Sequence, residues 1–166
     1  MSALSFHLAT VLDTEIVLAI LNDAAAWLAE RRIVGWEVGQ WTRTSIEAAI
    51  GRGETYLAHD RERAVGTLNL QWSDHVFWPD APADGGYVHR LAVARHAHGR
   101  SVGRELLSFA ERIAREHGKR YLRLDCPCGN EGLRAYYLAA GFGWRGDSEF
   151  ATGTRPWCGS RFEKQL

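Results

Sequence analysis

Residues 87–119, YVHRLAVARHAHGRSVGRELLSFAERIAREHGK, decide how this chain folds. Tyr87, His89 and Leu91 alternate with their neighbours and run into the short apolar core Leu91, Ala92 and Val93, which reads as a strand pointing Tyr87, His89, Leu91 and Val93 to one side. The apolar run stops at Arg95. From Val102 the apolar residues recur as Leu106, Leu107, Ala110, Ile113 and Ala114, the spacing of one helical face. Ser101 stands at the N-cap position and Gly118 where a left-handed cap ends a helix. Between strand and helix lie Arg95, His98, Gly99, Arg100, Ser101, Gly103 and Arg104. Gly99 and Gly103 let backbone N–H groups approach a ligand closely, and the helix dipole favours an anion there. The stretch therefore reads as a phosphate or pyrophosphate cradle with flanking cations, against the plainer reading of a strand-to-helix turn with solvated arginines. No Gly-Lys-Ser/Thr follows, and the G-x-G-x-x-G dinucleotide pattern is missing.

Other segments supply the frame. Leu4–Leu8 alternates as a first strand, Thr10 or Asp13 precedes a helix carrying Ile16, Ile20, Ala24, Trp27 and Leu28, and a second helix covers about Thr44–Ile50. Glu54–His59 and Ala64–Trp72 read as a hairpin, with Gly66 marking a bulge or a close approach. Ser73–Gly86 is a loop whose acids Asp74, Asp80 and Asp84 read as solvated before they read as ligands for a cation. Tyr121–Cys126 is a strand parallel to the one at Tyr87 by the crossover rule. Asn130 caps a helix that Gly141 ends, Phe142 and Trp144 open another strand, and Arg161–Leu166 ends the sheet.

Composition narrows the function. Twenty basic and twenty acidic residues cancel, so no net field favours nucleic acid or a membrane surface. The 166 residues suit one domain. Asp13 and Glu15 stand where a signal peptide would carry basic and then apolar residues, no run approaches a membrane span, and three cysteines make no disulfide framework. These features point to a cytoplasmic protein with free thiols. Cys126-Pro127-Cys128 lacks the second pair that structural zinc wants, so no metal is expected.

Two motifs then add a resemblance. HGRSVG (98–103), preceded by LAV (91–93) and followed by a helix with Leu106 and Leu107, resembles the acetyl-CoA pyrophosphate loop of the GNAT superfamily of N-acetyltransferases. His98 stands where that family usually has Gln or Arg, and Ser101 where it has its first glycine. GNEGLRAYYLAAGF (129–142) resembles the second signature, in which an Asn opens a helix and a Tyr precedes a Gly-Phe pair. The resemblance implies an α+β fold, a mixed and mostly antiparallel central sheet with helices on both faces, in a single N-acetyltransferase domain over residues 1–166.

It also implies acetyl-CoA as co-substrate, held by Leu91, Ala92, Val93, His98, Gly99, Arg100, Ser101, Val102, Gly103, Arg104 and Asn130. Backbone groups of Leu91 and Val93 would pair with the pantetheine arm, and such an amide would polarise the thioester carbonyl. Acetyl would pass directly to a primary amine. Tyr137 is the candidate general acid for the departing thiolate. His89 is the candidate base that takes the ammonium proton, with Glu54 and Glu37 as alternatives. Trp36, Glu37 and Trp41, between the first two helices, are candidate acceptor contacts. They favour a small cationic molecule such as an antibiotic or polyamine over a protein amine. A non-catalytic acyl-CoA sensor is the competing function, and monomer and homodimer both stay open.

Overall fold

The computed structural model describes residues 3–152 and 155–166. In order these form β1 (Ser5–Leu8), α1 (Thr14–Glu30), α2 (Arg43–Gly51), β2 (Thr55–Asp60), β3 (Arg63–Gln71), β4 (Gly85–Val93), α3 (Val102–Glu116), β5 (Tyr121–Pro127), α4 (Glu131–Ala139), β6 (Gly143–Thr152) and β7 (Arg155–Gln165). The seven strands run in the order β1-β2-β3-β4-β5-β7-β6. Strands β1–β2, β2–β3, β5–β7 and β6–β7 pair antiparallel, while β4 and β5 pair parallel across the α3 crossover. The sheet is thus mixed and mostly antiparallel, as expected. The chain divides into two compact units, one comprising the residues up to Leu70 with Arg90–Phe109, the other Gln71–His89 with Ala110–Leu166.

In the first unit, Thr10 caps a single 3-10 turn whose Asp13 carboxylate accepts hydrogen bonds from the Thr10 N–H and hydroxyl, and α1 follows directly. The buried face of α1 is Thr14, Val17, Ile20, Leu21 and Ala25, whereas Ile16 is exposed. The sequence reading through Ile16, Ile20 and Ala24 took steps of four, each of which drifts about 40° around a 3.6-residue helix, so the true face lies one residue along. Thr42 caps α2 by accepting from the Ser45 N–H. Val17, Ile20, Leu21, Ile46, Ile50, Leu57 and Ala92 pack into one core.

Gly66 serves both purposes the sequence suggested. Pairing skips from Ala58 opposite Gly66 to His59 opposite Ala64, a bulge, and a Cβ on Gly66 would come within 2.9 Å of the Ala92 carbonyl and a Leu106 methyl. The other irregularity was not foreseen. Arg90 has φ +50 in the middle of β4. A left-handed residue interrupts the period-two alternation, so the reading that put His89 on one side with Leu91 and Val93 does not carry across it.

In the second unit, Leu122, Leu124, Tyr137, Phe142 and Phe162 are buried. Arg123 is buried as well, and its guanidinium is paired with Asp84 at 2.9 Å and Glu163 at 2.8 Å and bonded to the Tyr87 hydroxyl at 3.0 Å. A Cβ at Gly85 would lie 2.3 Å from that guanidinium, so glycine at the start of β4 is what lets the arginine pass. Cys128 and Cys158, 30 residues apart, form a disulfide, and only Cys126 is a buried free thiol. This corrects the expectation that the cysteines stay free, Cys128 among them. An odd count excludes complete pairing, but the antiparallel pairing of β7 with β5 brings one pair together.

Candidate active site

In the first unit β4 runs out at Val93, a short 3-10 turn follows over Arg95–Ala97, and the chain reaches α3 through two left-handed residues, Gly99 at φ +75 and Ser101 at φ +61. The first helical bonds run from the Arg104 and Glu105 N–H groups back to the Ser101 carbonyl. The N–H groups of Val102 and Gly103 therefore have no partner within the helix and are available to an anion. A Cβ on Gly99 would meet nothing within 4 Å, so the turn leaves room beside its own backbone. Ser101 occupies α3's N-cap position in a conformation that suits glycine, at a cost of about 1 kcal/mol.

The side chains of the turn are more committed than their sequence suggests. Arg100 is paired with Asp60, and Arg95 with Asp23 and Glu30 of α1. The His98 ring lies edge-on to Trp27, with Nε2 3.1 Å from the Val93 carbonyl, so it faces its own strand. Arg104 is exposed and Val102 buried. The field at the turn is still positive: burial, then the charges of Arg63 and Arg100, push the His96 imidazole below its usual value.

The acceptor candidates of this unit lie between α1 and α2. Trp36 and Trp41 pack edge to face at 5.6 Å against the core, and the Arg90 guanidinium sits 4.6 Å over the Trp41 ring. Glu37 is exposed, its N–H donating to the Gln40 side chain. Both tryptophans are thus used for packing, and Trp41 already faces a cation. Glu54, the alternative base, is held by Arg52 through two bonds of 2.8 Å.

The second unit holds a cluster that sequence reasoning missed. His89, at the end of the straight part of β4, lies between two carboxylates: its Nε2 is 3.0 Å from Asp74 Oδ2 and its Nδ1 is 3.8 Å from Asp125 Oδ1. Asp74 belongs to the β3–β4 loop, where its other oxygen accepts from the N–H groups of Val76 and Phe77 and so fixes the loop's first turn. Burial pushes the Asp74 carboxyl up, but the His89 contact and those backbone N–H groups outweigh it and hold it below the carboxylate range. Asp125, deep in β5, has no such support. Burial pushes it up to about 6, with only the His89 charge pulling it down. Ligand atoms of the three residues lie within 4.8 Å of one another, yet different ring nitrogens face the two carboxylates. The ring is bracketed, an arrangement suited to exchanging protons with its neighbours. Phe77 lies against the same ring at 5.8 Å and packs on Phe150 and Trp157.

Of the residues expected in α4, Asn130 caps the helix, its side-chain oxygen accepting from the Leu133 N–H at 3.0 Å. Tyr137 is buried among Phe142 and Phe162, and burial drives its hydroxyl far up, so it keeps its proton throughout the neutral range. Burial likewise pushes the Cys126 thiol to about 12, which leaves it protonated and inert.

The sequence model described as the acetyltransferase (GNAT) family matches residues 19–142. An uncharacterized N-acetyltransferase of Bacillus subtilis (strain 168), YesJ, is 27% identical over 142 residues, covering 81% of this chain and 78% of its own. Among solved structures, a GNAT-family acetyltransferase of Listeria monocytogenes superposes with TM-score 0.79 at 24% identity, over 98% of this chain and 95% of that one. A Salmonella typhimurium structure, yncA, a putative acetyltransferase with its cofactor acetyl-CoA, superposes with TM-score 0.74 at 17% identity, over 99% and 95%.

Proposed function

The chain belongs to the acetyltransferase (GNAT) family and is an acyltransferase; from that premise we propose that it moves acetyl from acetyl-CoA directly to a primary amine of a small molecule, such as an antibiotic or polyamine. The observation that carries the coenzyme half is the left-handed turn from Gly99 to Ser101, which opens α3 with free N–H groups and space beside them. The pyrophosphate is assigned to this turn, with Arg104 as the exposed cation and Asn130 holding the start of α4. The Salmonella structure with acetyl-CoA supports the same co-substrate.

In the reaction the acceptor ammonium first loses a proton to His89, because only the neutral amine has a lone pair. Its nitrogen attacks the thioester carbonyl carbon, the C–N bond forms and the C–S bond breaks. The coenzyme A thiolate takes a proton from Tyr137, which recovers one from the new amide nitrogen through solvent. Trp36, Glu37 and Trp41 are assigned to the acceptor; because Arg90 lies over the Trp41 ring, the preference for a small cation rests on the exposed Glu37 carboxylate and on Trp36. Domain organisation follows the same reading, one N-acetyltransferase domain over the whole chain. No helix among the described residues is long and apolar enough to cross a membrane.

Two measurements test this. Acetyl-CoA and coenzyme A should both raise the thermal midpoint, while ATP and NAD leave it unchanged. Thiol release from acetyl-CoA should then depend on added amine, faster with polyamines and aminoglycosides than with lysine-containing or N-terminal peptides. No shift with either coenzyme form rejects the assignment of the turn, and faster reaction with peptides replaces the acceptor class. Tyr137→Phe should slow thiol release with coenzyme affinity retained; an unchanged rate removes the general-acid role.

A further inference from the structure

We propose that Asp74 and Asp125 act through His89 as positioning residues, forming a carboxylate–imidazole–carboxylate proton trap for the acceptor's ammonium. The inference rests on the reading of His89 as the base and extends it to residues outside both sequence signatures. Three observations meet. The first is the bracket itself, Asp74 Oδ2 at 3.0 Å from one ring nitrogen and Asp125 Oδ1 at 3.8 Å from the other. The second is burial: the Asp74 and Asp125 side chains are only 5% and 10% exposed. Apart from the ring, neither facing oxygen has a hydrogen-bond partner among the described residues. The third is rigidity, since two backbone N–H groups fix Asp74, β5 carries Asp125, and Phe77 lies against the ring.

Leaving a buried carboxylate oxygen unmatched is costly, and a positive ring between two such oxygens is what relieves it. The neutral ring can offer one N–H, whereas the imidazolium offers one to each side. The bracket therefore favours the ring that has taken up a proton, so a ring that is neutral when the acceptor arrives draws the proton from an alkylammonium strongly. When the ring gains it, the acceptor nitrogen gains the lone pair that attacks; after acetyl transfer the proton returns to solvent. Two further titratable groups lie near Asp125, the Cys126 thiol beside it on β5 and the Tyr137 hydroxyl on α4, and both stay neutral in the working range. Asp74 and Asp125 are thus charges that act on the ring from either side.

The test needs no knowledge of the acceptor. The His89 ring is followed by NMR against pH in the wild type, Asp74→Asn and Asp125→Asn, and assigned by its loss in His89→Gln. Each Asn variant keeps shape while losing charge, so each should lower the ring's titration midpoint by about one pH unit, close to a tenfold change in its proton affinity. Midpoints unchanged in both overturn the trap. Should one variant fail to fold, the other decides by the same criterion. Thiol release with spermidine and acetyl-CoA separates this from the underlying reading. If His89→Gln retains wild-type turnover, His89 is not the base; if it abolishes turnover while the Asn variants leave the ring's titration unmoved, the trap alone falls. An effect of Asp74→Asn confined to KM, with the midpoint unmoved, assigns Asp74 to binding and overturns its positioning role.

Discussion

The turn at 98–104 and the cluster around His89 are built from opposite materials. The turn is main chain: two left-handed residues and the unbonded N–H groups that open a helix, in an exposed stretch whose arginines are largely engaged by acids of their own unit. The cluster is side chain: three groups from a loop and two strands, largely buried and within a few ångströms of one another. An anion held by backbone dipoles tolerates changes of side chain but not of φ. A proton moved between side chains tolerates neither loss nor displacement of the groups involved. Substitutions in the turn should therefore weaken coenzyme binding, and those in the cluster should slow the chemical step.

The sharpest way to break this contrast is His89→Gln. It should lower kcat by about 10²–10³-fold, the range in which general-base catalysis falls, while KM for acetyl-CoA stays within about twofold. Steady-state kinetics with acetyl-CoA varied at saturating amine provides the check. A KM effect larger than the kcat effect would move His89 from chemistry to binding and merge the two regions.

Asp125→Asn sharpens the contrast through stability. The folded-state carboxyl sits at about 6, above its ordinary 3.8, so between those values the folded chain binds more protons than the unfolded chain. The neutral carboxyl contributes its full stability below about pH 4, and this contribution is lost as pH rises to about 6, by an amount on the order of 3 kcal/mol. Asn does not ionise. Denaturation midpoints at pH 4 to 7 should show wild type falling relative to Asp125→Asn across that window and staying level above it. Parallel curves would mean that Asp125 ionises as freely in the fold as out of it.

Gly99→Val probes the turn. A β-branched residue at φ +75 strains the backbone by about 1–3 kcal/mol although its side chain meets open space. A shifted turn should raise KM for acetyl-CoA by about tenfold and leave kcat at saturation near wild type, the mirror image of His89→Gln. Matching losses of kcat would show the turn to be part of the chemistry.

The same contrast explains what could be read in advance. The turn was legible because consecutive residues carry it: Gly99 and Gly103 around Ser101, with Val102, Leu106 and Leu107 announcing the helix. The cluster spans residues 74 to 125, and no local pattern joins its members. Asp74 sat among Asp80 and Asp84 in a stretch that reads as solvated. Asp125 alternates with Leu124 and Cys126, which gives it no apolar pattern of its own to mark it. One signal was present. A strand that pairs parallel is commonly covered on both faces, which makes a charged residue inside it informative. The disulfide escaped for a similar reason, as Cys128 and Cys158, 30 residues apart, meet through the antiparallel pairing of β5 with β7.

The smallest expected effect lies at Ser101, where the two regions can be compared on one scale. The family's pattern has glycine at this position, and the backbone here adopts φ +61, so the serine bears a Cβ where the chain turns left-handed. Ser101→Gly should relieve about 1 kcal/mol of that strain, less the entropy a glycine adds to the unfolded chain. The net gain in the denaturation midpoint should therefore be slight. Coenzyme affinity, measured by calorimetry with coenzyme A, should rise by a few-fold if the turn binds through its backbone, because the N–H groups of Val102 and Gly103 can then settle on the anion without resistance at Ser101. A fall in affinity would instead show that the serine hydroxyl itself contacts the phosphate, and a side chain would have to be added to a site otherwise made of main chain.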